Sequence, residues 1–175
     1  EVSTNPKIIK TALRIKPNFI CIVPENRKEI TTEGGLDLKN NKKKIQKIIK
    51  KFKKKKIRTS LFINATTSDI KISKELKADC IELHTGNLSN LVKTKKNFSK
   101  ELYKIKRCAF LANKFGLEVH AGHGLDYKTT KILTKIKEIK EFNIGHFIIG
   151  ESIFLSLSSV IKKFKKIINQ KRWKY

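Results

Sequence analysis

The sequence predicts an α/β fold built on parallel strands, and three observations carry that prediction. Short runs rich in Ile, Val and Leu, bounded by Gly or Pro, read as buried strands. Longer segments with helical spacing alternate with them, and repeated strand-then-helix units make the strands parallel, with their carboxyl ends facing one way. All 4 histidines close or directly follow such a run. They would then gather on one rim, where folds of this class place their active sites.

Taken in order, Pro6 after Thr4-Asn5 is a helix-start signal, and Ile8, Ile9, Leu13 and Ile15 supply the apolar side of that helix. A strand over 18–23 stops at Pro24. The polar segment 25–40 is too long for an ordinary connection and contains Gly34-Gly35, so it reads as a functional loop. A helix over about 41–55 leads to a strand over 58–63. Thr67 or Ser68 caps a short helix burying Ile70 and Leu76, and a strand over 79–84 follows. Leu102, Ile105, Cys108, Ala109, Ala112 and Phe115 stripe a helix from about 97 that ends at Gly116. Then come a strand over 117–121, a helix holding Ile132 and Leu133, a strand near 142–144 and a last amphipathic helix over about 152–168. No linker, repeat or low-complexity boundary interrupts residues 1–175, so a single domain is expected. Five such units make either an open sheet or part of a (β/α)8 TIM barrel, which has eight units and typically ~250 residues. The chain lacks an initiating Met, and a barrel missing its first strands is the expected form.

The net charge of +26 suggests nucleic acid as a partner, but its makeup argues against one. Lys supplies 36 of the cations and Arg only 5, whereas bidentate recognition of phosphates and bases favours Arg. The densest block, 50–56, holds one aromatic, Phe52, and this falls on the apolar stripe with Ile45, Ile48 and Ile49 rather than on the basic face. A solvated Lys-rich helix face is the expectation. No apolar stretch approaches the ~18 residues of a membrane span, so no membrane partner is expected. The 3 cysteines are widely spaced and read as small buried residues in a reducing, cytoplasmic setting.

Glu82 and His84 are two apart on a strand and share a face, while Ile81 and Leu83 take the other. In a barrel that places both in the lumen, where a carboxylate is costly unless paired or used. His123 stands between Gly122 and Gly124 where a strand becomes a loop, so the backbone can approach a ligand and the ring can transfer protons near neutral pH. Asn143-Ile144-Gly145-His146 reads as a strand running into a helical turn, whose free N–H groups suit a phosphate. The Glu/His set is also compatible with a metal-dependent barrel hydrolase, but acidic residues are scarce at the other rims. No metal site is expected.

These motifs resemble the pyridoxine 5′-phosphate synthase family of vitamin B6 biosynthesis. The match runs through Lys16-Pro17-Asn18-Phe19, Glu29-Ile30-Thr31-Thr32-Glu33-Gly34-Gly35-Leu36-Asp37, Ile81-Glu82-Leu83-His84-Thr85-Gly86, Ala121-Gly122-His123-Gly124-Leu125 and Asn143-Ile144-Gly145-His146. The resemblance implies a barrel enzyme that condenses 1-deoxy-D-xylulose 5-phosphate with 3-amino-2-oxopropyl phosphate. The products are pyridoxine 5′-phosphate, phosphate and water, formed without metal or organic cofactor in a cytoplasmic homo-octamer. It implies that Glu1 is the general base, ending a strand absent from this chain. Thr31 would contact the deoxyxylulose phosphate, with the Gly-Gly loop closing over the site. Glu82 would stabilise the transition state and His123 donate a proton, while Gly124, Gly145 and His146 would hold the aminooxopropyl phosphate. It also implies that the family's first-strand Asn and Asp-His pair, and a second-strand segment with another catalytic His, are missing here. The fragment alone is therefore expected to be inactive.

Overall fold

The computed structural model describes residues 1–25 and 34–169. At its centre is a sheet of six parallel strands, β1 (Val2–Ser3), β2 (Phe19–Val23), β3 (Arg58–Ile63), β4 (Cys80–His84), β5 (Glu118–Gly122) and β6 (Ile139–Asn143). Five were expected. The additional one, β1, pairs Val2 with Ile22 and Ser3 with Val23, and two residues are too few to produce a periodic signal. It follows Glu1 directly. The last strand begins earlier than predicted because Lys140 and Glu141 interrupt its apolar character.

Strand order separates the open-sheet and barrel alternatives. Every strand lies beside its sequence neighbour, with no reversal, whereas a doubly wound open sheet reverses its order and covers both faces with helices. Here one face carries Ile22, Leu61, Ile63, Ile81, Leu83 and Val119, all essentially buried beneath the helices. The other presents Cys21, Ser60, Glu82 and His120, a polar set suited to a lumen. The sheet is of barrel type, and among the described residues β1 and β6 do not pair, so it is not closed.

The helices follow local chemistry. In α1 (Pro6–Ile15), Pro6 opens the helix and the Asn5 side chain accepts from the Lys7 N–H at 2.9 Å. Ile9 and Ala12 are buried, but Ile8 and Ile15, expected beside them, are 45% and 67% exposed. In α2 (Leu38–Lys54), Asp37 accepts from the Asn40 N–H and the helix starts earlier than predicted. It buries Ile45, Ile48, Ile49 and Phe52 and turns its lysines outward, as the stripe predicted. Thr66, rather than Thr67 or Ser68, caps α3 (Thr67–Glu75), accepting from the Asp69 N–H at 3.1 Å. α4 (Gly86–Lys93) was hidden by its Gly, Asn and Ser content, although Leu88 anchors it in the core. α5 (Ser99–Lys114) buries Ile105, Cys108, Ala109 and Ala112 of its predicted stripe, and α6 (Tyr127–Leu133, capped by Asp126) buries Leu133 while Ile132 is half-buried. The helical turn expected after Gly145 is α7 (His146–Ser152), and the last amphipathic helix is α8 (Leu157–Asn169), which starts later than predicted and is capped where Ser156 accepts from the Ser159 N–H.

The far end of the long 25–40 segment docks onto β3. Leu36 N–H donates to the Phe62 carbonyl at 2.8 Å and Gly35 N–H to the Asn64 side chain at 3.0 Å. A Cβ on Gly35 would lie 2.4 Å from the Ile63 carbonyl carbon, so only glycine allows this approach.

Candidate active site

Parallel register places the expected side chains in layers along the lumen. Cys21 aligns with Ser60, Glu82 with His120, and His84 with Gly122. Glu82 is 4% exposed. Asn143 Nδ2 donates to its Oε2 at 2.6 Å, and the Cys21 thiol donates to the same oxygen at 3.5 Å. Burial pushes the Glu82 carboxyl above the ordinary range and the nearby Glu1 carboxylate adds to this, while the Asn143 and Cys21 hydrogen bonds and His120 pull the other way. Burial likewise drives the Cys21 thiol far above its usual range, with Glu82 reinforcing the effect.

Space for that carboxylate comes from Gly122. A Cβ there would sit 1.9 Å from Glu82 Oε1 and 3.1 Å from Asn143 Cβ. The Gly-His-Gly turn that follows is tied to β4 through Thr85, which is fully buried. Its hydroxyl is shared between the Gly122 and His123 carbonyls at 2.8 Å each, and its N–H reaches the Gly122 carbonyl. His123 is held at φ 75°, a left-handed conformation uncommon for a side chain of its size, and is exposed. Its ring lies against that of His84, with centroids 4.9 Å apart, and Phe62 borders both at 5.4 Å and 6.2 Å. Two imidazoles thus stand together at the carboxyl end, one residue layer above Glu82.

Gly124 has a structural reason to be glycine: its φ is +76°, and a Cβ would press on Ser89 Cβ at 3.2 Å and on Gly86 Cα at 3.4 Å. Gly145 has none of this kind. It caps α7 with negative φ, and a Cβ there meets nothing within 4 Å. His146 follows it, also exposed, as the first residue of α7. Glu1 precedes β1 on the face opposite buried Val2, which is the lumen face it shares with Cys21 by strand alternation. Thr31 lies outside the described residues.

The family model described as "Pyridoxal phosphate biosynthesis protein PdxJ" matches residues 1–170. The chain belongs to this family. Curated relatives named pyridoxine 5′-phosphate synthase agree with the assignment. The protein of Pelagibacter ubique is 64% identical over 170 residues, covering 97% of this chain and 71% of the relative. That of Sulfurihydrogenibium is 45% identical over 168 residues, covering 96% and 68%. That of Prochlorococcus marinus is 40% identical over 172 residues, covering 98% and 70%.

One sequence expectation about this family member's site is corrected. The histidines do not all share one rim: His84, His123 and His146 lie at the carboxyl ends of the strands, but His120 is mid-strand and 1% exposed, one layer deeper. Its run continues to Gly122, so the strand ends later than the apolar residues suggested. Sequence reasoning also missed Asn143 and Thr85, whose contacts cross between strands. For Asn143 a signal existed, since alternation with Glu141 puts it on the lumen face.

Proposed function

We propose that the protein carrying this chain is a pyridoxine 5′-phosphate synthase, joining 1-deoxy-D-xylulose 5-phosphate and 3-amino-2-oxopropyl phosphate with release of phosphate and water. The observation that carries this reading is Glu82: a carboxyl withdrawn from water, fixed by Asn143 and raised by burial, beneath a pair of imidazoles at the carboxyl end of a barrel-type sheet. Ring closure between an amine and a ketone needs repeated proton transfers, and groups whose proton affinities lie near neutral pH serve it best. Glu82 stabilises charge as it develops, His123 donates a proton from its exposed turn, and Glu1, on the same lumen face, acts as general base. Gly124, Gly145 and His146 hold the aminooxopropyl phosphate. The open space around Gly145 supports this, because no neighbouring atom requires glycine there. Thr31 contacts the other substrate. Fixing two phosphates fixes the reacting carbons between them.

The same reading includes a cytoplasmic homo-octamer. Exposed Ile149, Ile153 and Phe154, on α7 and the turn after it, support an assembled state because they need a covering surface. Among the described residues no helix is long and apolar enough to cross a membrane. The nucleic-acid reading is weakened by Phe52, whose burial leaves the Lys-rich face of α2 without a stacking ring.

The test is an assay of a protein of the relatives' full length carrying these residues, with phosphate release and pyridoxine 5′-phosphate formation both measured. Phosphate should appear only when both substrates are present and in step with product. Release from either substrate alone would favour a hydrolase instead.

A further inference from the structure

Toward the amino ends of β4 and β5, a second group of side chains enters the lumen, reaching from the Cys80–Glu118 layer up to His120, which aligns with Glu82. Cys80 opens β4 and aligns with Glu118, and His120 follows Glu118 by two residues, so all three share the concave face. One donor atom from each lies within 4.8 Å of the others. His120 Nε2 is 2.9 Å from Glu118 Oε1, which is 4.0 Å from Cys80 Sγ. We propose that Cys80, Glu118 and His120 bind one divalent transition-metal ion of the zinc class, in a structural site below the paired imidazoles of the carboxyl end.

Four features support a built site. Thiolate with imidazole selects zinc-like ions over magnesium or calcium, which take oxygen shells. Cys80 and His120 are almost fully buried, on adjacent strands that hold them in register. Behind His120, Glu141 Oε1 stands 3.5 Å from the ring's other nitrogen, near enough that a small shift makes the hydrogen bond by which a carboxylate orients a ligating imidazole. Charge also balances: a doubly positive ion and Arg58 offset the Cys80 thiolate, Glu118 and Glu141.

Arg58 is the competing cation. Its guanidinium lies 3.1 Å from Cys80 Sγ and 3.2 Å from Glu118 Oε2, over the Phe19 ring. It engages the Glu118 oxygen that points away from His120, leaving Oε1 for the ion, and its half-exposed side chain has room to withdraw from the sulfur. An ion here ties β4 to β5 and, through Glu141, to β6, beside the register irregularity between Val119 and His120. The sequence concealed the site because one ligand is 38 residues from the next, with no paired-cysteine motif.

The test is titration of the chelator-treated chain with cobalt(II). The expected result is one equivalent bound, a thiolate-to-cobalt charge-transfer band in the near ultraviolet, and displacement by zinc. Cys80→Ser should abolish that band and Cys108→Ser preserve it, while Glu141→Gln should weaken affinity about 10- to 100-fold. Binding without a thiolate band, a band that survives Cys80→Ser, or no saturable binding overturns the proposal. Should Cys80→Ser fail to fold, X-ray absorption of the unmutated zinc-loaded chain decides. One sulfur at about 2.3 Å with nitrogen and oxygen at about 2.0–2.2 Å is required, and an all-nitrogen/oxygen or two-sulfur shell refutes it. No outcome depends on the condensation reaction, so this proposal and the functional one fail separately.

Discussion

The two ends of the lumen use similar residues in opposite ways. Toward the amino end, Arg58, Cys80, Glu118, His120 and Glu141 form one chain of polar contacts, in which Arg58 faces both Cys80 and Glu118 and His120 stands between Glu118 and Glu141. The hydrogen bond to His120 is the first influence holding the Glu118 carboxyl below its usual range, and Arg58 works the same way, whereas burial pushes the Cys80 thiol up to about 12. At the carboxyl end, Glu82 has neutral hydrogen-bond partners, Asn143 and Cys21, and its carboxyl is raised. The Arg58–Glu118 ion pair helps hold strands together, while a buried carboxyl whose hydrogen-bond partners are neutral costs stability and persists where it is used. The difference supports the proposal that chemistry is done at the carboxyl end.

The comparison is broken most severely at His123. In a protein of the relatives' full length, His123→Asn should lower kcat about 10²–10⁴-fold with KM little changed, because a positioned acid is lost while the turn and its Thr85 tether remain. Steady-state kinetics check this. Gly122→Ala comes next. The backbone at Gly122 tolerates alanine, but the added methyl must displace the Glu82 carboxylate from Asn143, and a shift of about 1 Å is expected to cost ~100-fold in kcat. The folded far-ultraviolet spectrum should be retained.

Gly145→Val sharpens the contrast from the binding side. Nothing in the chain meets a Cβ there, so the melting temperature should hold while KM for the aminooxopropyl phosphate rises about 10- to 100-fold, the loss of one or two hydrogen bonds to a charged group. The smallest effect is expected away from both ends. Thr66→Ala removes the α3 cap and should cost about 1 kcal/mol in denaturant unfolding, with kcat unaffected.

Much of this arrangement was legible in the sequence, for identifiable reasons. Strands β2 to β4 are apolar runs with clear ends, and alternation alone put Glu82 and His84 on the lumen face. β1 is too short to leave a pattern, and α4 is built from residues that favour turns, held helical by the burial of Leu88. His120 was placed one layer too high because the apolar run ends before the strand does. The contacts that complete the site, Asn143 to Glu82 and Thr85 to the His123 turn, depend on the register between strands, which a single sequence does not display. The same limit hid the Cys80, Glu118 and His120 group.

The most direct test of the carboxyl-end assignment is the kinetics of Glu82→Gln in the full-length protein. Glutamine keeps the shape and can still accept from Asn143 Nδ2, so folding and KM should be preserved. Losing the charge at a water-excluded site should reduce kcat by about 10²–10³-fold. Near-normal turnover in a folded Glu82→Gln protein would contradict the account, since the buried carboxyl would then have no part in the reaction.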